Sequence, residues 1–147
     1  MPPDVERNLP FTIFANFQRA PWGAFLFPEC IIMKPIFHIT LPERWAEALK
    51  NGDYRADSLE SEGFIHCSDE PQVVRSLNRF YKNIPEVRLL LIDPSCLRSR
   101  LEYEPAHGEL FPHIYGPLNV DAVVAVETLR AEADGSYRWE GTGGIQN

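Results

Sequence analysis

The chain has 147 residues, of which 44% are hydrophobic, and this length and composition suit one domain with a substantial buried core. Its formal charge of −7 argues against a broad basic surface, and so against duplex nucleic acid or an anionic membrane as a partner. The three cysteines are odd in number and have no CxxC spacing, which favours a reduced, cytoplasmic protein. No apolar run reaches the roughly 18 residues that predict a membrane span.

The first 32 residues differ in character from the rest. They are rich in aromatic residues and prolines, carry few charges, and follow neither a helical nor a strand period. We interpret residues 1–32 as an N-terminal extension, either non-native, with Met33 as the natural start, or loosely packed. The alternative is that the aromatic side chains of this segment cover an apolar edge of the domain. Residues 33–140 are predicted to form one domain, followed by a tail at 141–147.

A strand and a helix are predicted at the start of this domain. Residues 35–40 have the composition of a strand. Thr40 and Glu43 form a capping-box pattern, in which Thr40 caps a helix and Glu43 reaches back to it. We expect that helix to end near Gly52. Its predicted inward residues are Trp45, Ala48 and Leu49.

A second strand and a second helix follow. Residues 62–68, EGFIHCS, predict the strand, and residues 68–72 supply cap residues and an early proline for the helix. The apolar residues of that helix recur at helical spacing. They are Val73, Val74, Leu77, Phe80 and Tyr81.

The rest of the chain is predicted to be mainly strands and turns. We expect strands at 87–93, 101–104 and 121–129. The first is apolar enough to be buried on both faces, and the last is interpreted as another central strand. Residues 105–117 are interpreted as a long, proline-marked loop. A turn at 133–136 predicts a closing hairpin with 137–139. Helices early and strands late favour an α+β fold over a doubly wound sheet.

Three histidines stand in similar surroundings. His38, His66 and His113 each lie among apolar residues and beside a hydroxyl-bearing residue. Such a histidine costs stability unless its ring nitrogens find partners. One interpretation is a set of core histidines tied to backbone carbonyls. The other is a functional site, because imidazole can bind hydroxyl and phosphate groups or transfer protons near neutral pH.

Alternation along EGFIHCS separates its polar side chains. Phe64, His66 and Ser68 are expected on one face of the strand. Cys67 is then expected on the opposite face, so it is neither a nucleophile paired with His66 nor a second ligand to the same metal. No histidine, cysteine or glutamate pair has a familiar zinc-ligand spacing, and we predict no metal site.

Acidic and aromatic residues are open to two interpretations. Glu102 and Glu104 share a strand face, where they serve either acid–base chemistry or simply the solvated surface. Tyr54, Tyr103 and Tyr115 are suited to stacking on a base, or to core packing with a wet hydroxyl.

Several uncommon sequence words occur in order along the chain. They are FHIT at 37–40, Trp45, Gly-x-Tyr at 52–54, SLxxEGFIHCS at 58–68 and FPHIYGPL at 111–118. Together, from about residue 35 to about residue 130, they resemble the bacterial family called domain of unknown function 952. That resemblance implies a compact relative of the ADP-ribosyltransferases, a superfamily that includes RNA 2′-phosphotransferase. Those enzymes bind NAD or an ADP-ribosylated intermediate in a cleft between two small sheets.

The resemblance also implies roles for individual residues. His38 matches the superfamily position that contacts a ribose hydroxyl, and residues 63–68 match the glycine-led strand of the second motif. His66 stands where many relatives carry Tyr or Ser. The third motif is usually a glutamate. Its candidates by chain order are Glu104 and Glu109, with His113 or Tyr115 as replacements.

The combined prediction is an α+β, ADP-ribosyltransferase-like fold with a split, bent antiparallel sheet and two short helices. The candidate catalytic residues are His38, His66 and His113. The candidate substrate-binding residues are Thr40, Tyr54, Ser58, Ser68, Glu104 and Tyr115. Two functions stay open: a transferase of ADP-ribosyl or 2′-phosphate chemistry, and a non-catalytic nucleotide-binding or sensing module. The expected partner is a small nucleotide. NAD is a candidate substrate, no cofactor is assigned, and no oligomeric state is predicted.

Overall fold

Residues 34–142, which the computed structural model describes, form eight strands and three α-helices. The strands are β1 (Ile36–Thr40), β2 (Asp53–Tyr54), β3 (Ile65–His66), β4 (Glu86–Ile92), β5 (Arg100–Ala106), β6 (Glu109–Tyr115), β7 (Leu118–Asn119) and β8 (Val123–Arg130). The helices are α1 (Pro42–Asn51), α2 (Asp57–Ser61) and α3 (Val73–Phe80). The predicted extension at 1–32 lies outside the described residues, and the domain boundaries stay a prediction.

The strands form antiparallel sheets that meet at one point. The first sheet has the order β1-β4-β8, the second has the order β3-β6-β5, and β2 pairs with β7. Phe37 on β1 and Ser68 just after β3 exchange two backbone hydrogen bonds, each 2.8 Å long. The predicted α+β class with antiparallel sheets is therefore confirmed.

Apolar side chains pack on both faces of the first sheet, because successive strand residues point to opposite sides. One core lies against α1 and the inner face of the second sheet, and contains Ile36, Trp45, Ala48, Ile65, Cys67, Leu90, Ile92 and Ile114. The other core lies against α3, and contains Phe37, Ile39, Val73, Leu77, Val87 and Leu89. The prediction that the strand at 87–93 is buried on both faces is confirmed.

The start of α1 differs from the prediction. Leu41, without a side-chain cap, stands at the N-cap position, and the helix begins at Pro42. The predicted capping box does not form, because the Thr40 side chain belongs to strand β1 and contacts Tyr54 instead. Leu49, expected inward, is 58% exposed. The end is as expected: Gly52 adopts the left-handed conformation, with φ of 88°.

The predicted loop at 105–117 is wrong, because most of it belongs to a hairpin. β5 and β6 pair from Ala106 and Glu109 outward, and the two residues between them have positive φ, 53° for His107 and 80° for Gly108. Positive φ at both positions suits the right-handed twist of a two-residue hairpin. We refer to residues 105–109 as the hairpin tip.

Four smaller predictions also need correction. Strand β8 lies at the edge of its sheet, so the interpretation as a central strand is wrong. The turn near Gly135 forms, but residues 137–139 make no strand with it. Phe80 in α3 is 64% exposed. The prediction of two short helices is incomplete, because the described residues contain a third, α2. Its five residues are too few to show a helical period in the sequence.

Candidate functional site

A cleft of about 1100 Å³ opens where the two sheets meet. Its walls come from β1, α2, the segment around β3, α3 and the hairpin tip. Seven of the candidate residues line it: His38, Thr40, Tyr54, Ser58, His66, Ser68 and His113. Glu104 and Tyr115 are not part of the lining. The pairing of β3 with β6, and the backbone contact between β1 and the end of β3, bring these distant sequence segments together.

His38 is held in a buried chain of hydrogen bonds. Its Nδ1 lies 2.6 Å from the carbonyl oxygen of His66, and its Nε2 lies 2.8 Å from the hydroxyl oxygen of Tyr54. A carbonyl only accepts, so Nδ1 carries the proton and Nε2 accepts the hydroxyl proton of Tyr54. The Thr40 hydroxyl, 2.9 Å from the Tyr54 oxygen, completes the chain as a donor. Both ring nitrogens are therefore satisfied within the protein.

Burial keeps the His38 ring neutral. It lowers the pKa of His38 from 6.5 to about 4, against the opposing effect of the hydrogen bond to the His66 carbonyl. Burial likewise raises the pKa of the Tyr54 hydroxyl to about 12. At neutral pH neither group is charged. The pair is suited to orienting groups through fixed dipoles and poorly suited to exchanging protons with a ligand.

His66 is an exposed histidine of the cleft lining. Its side chain is 55% exposed, and its Nε2 lies 3.2 Å from each carboxylate oxygen of Glu62. The carboxylate accepts from Nε2–H, so the lone pair of the neutral ring is on Nδ1. Phe64 packs against the ring, with centroids 4.8 Å apart. A histidine whose tautomer is set by a carboxylate and whose side chain is exposed at a cleft wall has the arrangement of a general base.

His113 lies beside His66 but takes part in a different set of contacts. Its ring stacks on Phe64 with centroids 4.1 Å apart, and its Nδ1 lies 2.7 Å from Oε1 of Glu104. The same oxygen accepts a 2.5 Å hydrogen bond from the Tyr115 hydroxyl. Hydrogen bonds from Tyr115 and His113 lower the pKa of Glu104. Glu104 and Tyr115 therefore hold the His113 ring in place from outside the cleft lining.

The remaining predicted residues support the strand that carries His66. The Ser58 hydroxyl donates to the carbonyl of Phe64 over 2.7 Å. Ser68 is buried, and its Oγ lies 3.2 Å from Oγ of Ser76 on α3. Cys67 points into the core, as alternation predicts, and burial raises the pKa of its thiol. Within residues 34–142, no group of three His, Cys, Asp or Glu side chains is placed to hold a metal ion.

The hairpin tip is attached to α3 by a charged contact. The Arg75 guanidinium donates to both oxygens of Glu109, over 2.9 Å to Oε1. The Gln72 amide donates to Glu109 and, over 2.9 Å, to the carbonyl of Leu110. The hydrogen bonds from Arg75 and Gln72 lower the pKa of Glu109 to about 2. This contact closes one end of the cleft.

The family can now be stated from comparison with known proteins. The family model described as protein of unknown function, DUF952, matches residues 39–126. The chain belongs to this family. No protein with a curated description matches it significantly.

Solved structures of one bacterial protein resemble this DUF952 chain. The crystal structure of protein CC0527 from Caulobacter crescentus is 27% identical, with a TM-score of 0.67, and the match covers 75% of this chain and 96% of that one. The solution NMR structure of CC0527 is 28% identical, with a TM-score of 0.62, and the match covers 71% of this chain and 91% of that one. The arrangement of strands and helices is thus shared with a solved protein.

Sequence reasoning missed part of the charged lining of the DUF952 cleft. Glu62, Arg44, Arg75 and Arg79 all line it. The spacing of Arg75 and Arg79 by four residues on a predicted helix was a usable signal. The contact of Glu62 with His66 gave none, because it depends on the turn at Gly63, whose φ is 92°. Arg44 gave no such signal, because its partner Asp57, 2.8 Å away, is on another helix. Of the helices in residues 34–142, none combines the length and apolar character that a bilayer crossing requires.

Proposed function

We propose that the cleft binds a small phosphorylated nucleoside of the NAD, ADP-ribose or 2′-phosphorylated nucleotide class, and that His66 with Glu62 acts on it. The observation that carries this proposal is the His66–Glu62 contact of 3.2 Å on a cleft wall. The proposal includes an ADP-ribosyltransferase-like arrangement for the split sheet. It is supported by two small antiparallel sheets that meet beside the cleft.

His38 and His66 take different roles in this proposal. His38 uses both ring nitrogens inside the protein, so its contribution is to fix the His66 carbonyl and the Tyr54 hydroxyl. His66 presents Nδ1 to the ligand while Glu62 holds Nε2–H. A ribose hydroxyl at Nδ1 would lose its proton to the ring as its oxygen forms a bond to phosphorus, with the bond from that phosphorus to a leaving alkoxide breaking, or to the C1 carbon of the NAD ribose, with nicotinamide leaving. Glu62 stabilises the imidazolium that results.

A second candidate, a nucleotide-binding module without catalysis, is favoured by the position of Glu104. In transferases of the proposed superfamily a glutamate stabilises positive charge on the ribose, but Glu104 here binds His113 and Tyr115 instead. Glu109, the other candidate, is held by Arg75. Without a free carboxylate at the ribose, such a transition state would lack stabilisation of several kcal/mol.

Binding and turnover experiments separate these functions. Isothermal titration with ADP-ribose, NAD and adenosine 2′-phosphate should give binding to at least one ligand, weakened about tenfold or more in His66→Ala. Glu62→Gln should reduce turnover more than binding, and Glu60→Gln, an exposed neighbour outside the cleft lining, is its matched control. Binding without turnover on prolonged incubation selects the binding module. Failure of all three ligands to bind would reject both.

A further inference from the structure

One face of α3 and the turn before it presents four side chains with hydrogen-bond donors to the cleft. Gln72, Arg75, Ser76 and Arg79 follow the spacing i, i+3, i+4, i+7, which places them on one side of a helix. All four line the cleft. The opposite side packs into the core through Val73 and Leu77. The cleft therefore has one wall on which amide, hydroxyl and guanidinium groups lie side by side.

Of the two arginines on this wall, one has an ion-pair partner among the described residues. Arg75 is committed to Glu109 through two hydrogen bonds. Arg79 lies one turn further along, and no carboxylate of the described residues comes within 4.0 Å of its guanidinium, although its charge contributes to the lowered pKa of Glu109. The described contact of that guanidinium is with the Phe80 ring, 6.0 Å from the centroid. A guanidinium without an ion-pair partner beside a cleft is a binding element for an anion.

A serine lies one turn before Arg79 on the same side of the helix. Ser76 precedes Arg79 by three residues, and its Oγ is 3.2 Å from Oγ of the buried Ser68. A serine hydroxyl and an arginine fork together offer the donors that phosphate oxygens accept. The other cationic side chain of the lining, Arg44, is already paired with Asp57 over 2.8 Å. The α3 wall therefore carries an arginine without an ion-pair partner, whereas the arginine beside α2 is paired.

We propose that Arg79 and Ser76 form the phosphate subsite of the cleft, which takes the diphosphate or phosphate group of the nucleotide while its ribose faces His66. This proposal deepens the proposed function and rests on it for the nucleoside half of the ligand. The proposed contact with the phosphate group depends only on the side chains of the α3 wall. Arg75 is a positioning residue here, because its side chain is already bound to Glu109.

Inorganic pyrophosphate is a probe that tests the subsite without the nucleoside. In an NMR titration of the full chain, pyrophosphate should shift the amide signals of residues 75–79, and Arg79→Ala should weaken its binding about tenfold or more. Arg98→Ala is the matched control, because Arg98 is an exposed arginine paired with Asp121 and lies outside the cleft lining. The control should bind pyrophosphate like the wild type. Absence of shifts on α3, or equal weakening in both variants, would overturn the subsite.

A parallel titration with ADP-ribose and adenosine separates the two proposals. Arg79→Ala should weaken ADP-ribose binding by the same factor and leave adenosine binding unchanged. If pyrophosphate binds at α3 but neither nucleoside ligand binds, the subsite stands and the proposed function fails. If ADP-ribose binds equally to the wild type and to Arg79→Ala, the proposed function stands and the subsite is wrong. Arg79→Lys, which retains charge without the planar fork, should lie between the two.

Discussion

Nδ1 of His38 donates to the backbone carbonyl of His66 over 2.6 Å, so the first histidine positions the strand segment that carries the second. The two rings nevertheless differ in environment, because His38 is buried and His66 is exposed. One ring is part of the internal hydrogen-bond network and the other is open to ligand. The two histidines should therefore respond differently to mutation.

Replacement of His38 should mainly affect folding stability. His38→Ala removes a buried ring and leaves the His66 carbonyl and the Tyr54 hydroxyl without this partner, which should lower the free energy of unfolding by about 2 to 4 kcal/mol. His66→Ala, at an exposed position, should change it by less than about 0.5 kcal/mol. Urea unfolding followed by circular dichroism measures both. Equal losses in the two variants would contradict the assignment.

The lowered pKa of His38 predicts a pH dependence of stability. Its folded pKa of about 4 lies below the ordinary value of 6.5, so between these pH values the unfolded state binds more protons. The contribution is complete above pH 6.5 and is lost as the pH falls toward 4, in total about 3 kcal/mol. The difference in unfolding midpoint between the wild type and His38→Gln, which lacks the titrating ring, should show this slope at several pH values.

Asp93 should produce a slope of the opposite sign. Burial raises its pKa from 3.8 to about 6, against hydrogen bonds from the backbone and hydroxyl of Ser95. Between pH 3.8 and 6 the folded state therefore binds more protons, and stability falls as the pH rises through this window. Asp93→Asn should remove that loss, so the wild type should show a smaller net pH slope than the variant. An identical slope in both would show that Asp93 titrates normally.

The contact between Arg75 and Glu109 predicts a local change in the hairpin tip. Glu109→Gln weakens the charged contact with α3, so amide hydrogen exchange at residues 107–110 should accelerate. Glu102→Gln is the matched control, since Glu102 lies in the same hairpin but pairs with Arg100. Amide hydrogen exchange in the hairpin tip should be unchanged in Glu102→Gln. Equal acceleration in both variants would mean that the tip is held by other contacts.

Cys67 should matter for stability and not for ligand binding. Cys67→Ser places a hydroxyl where a buried thiol packs, which should cost about 1 to 3 kcal/mol, whereas Cys67→Ala avoids the buried polar group. Because burial raises the thiol pKa, Cys67 in the folded protein should resist alkylation. Mass spectrometry after iodoacetamide treatment checks this. Rapid labelling of Cys67 under native conditions would contradict its buried position.

Local patterns predicted strands at the positions of β1, β3, β4, β5 and β8 and the separation of side chains, but the β5–β6 hairpin was missed because of its prolines. Pro105 and Pro112 suggest a loop when taken alone. In the observed register Pro105 lies opposite Leu110 and Pro112 lies opposite Tyr103. With a two-residue turn these are the non-hydrogen-bonded positions of the β5–β6 ladder, so neither proline removes a bond from it. The register, which depends on the turn, decides whether a proline is tolerated.

The charged residues of the site were less predictable than its histidines. Alternation suffices to place His66 opposite to Cys67, because strand geometry has a period of two. The pairing of Arg75 with Glu109 joins residues 34 positions apart, and no local rule specifies it. The exposure of Leu49 and Phe80 likewise depends on which elements cover a helix. Such tertiary contacts determine that Arg75 has an ion-pair partner and that Arg79, among the described residues, has none.

The junction between Phe37 and Ser68 has a mechanical consequence. The backbone pair and the His38 ring both tie the end of β3 to β1, and a shared apolar core packs the two sheets against each other behind this junction. The cleft lies beside the junction. Its width is therefore set by the angle at which the shared core holds the two sheets.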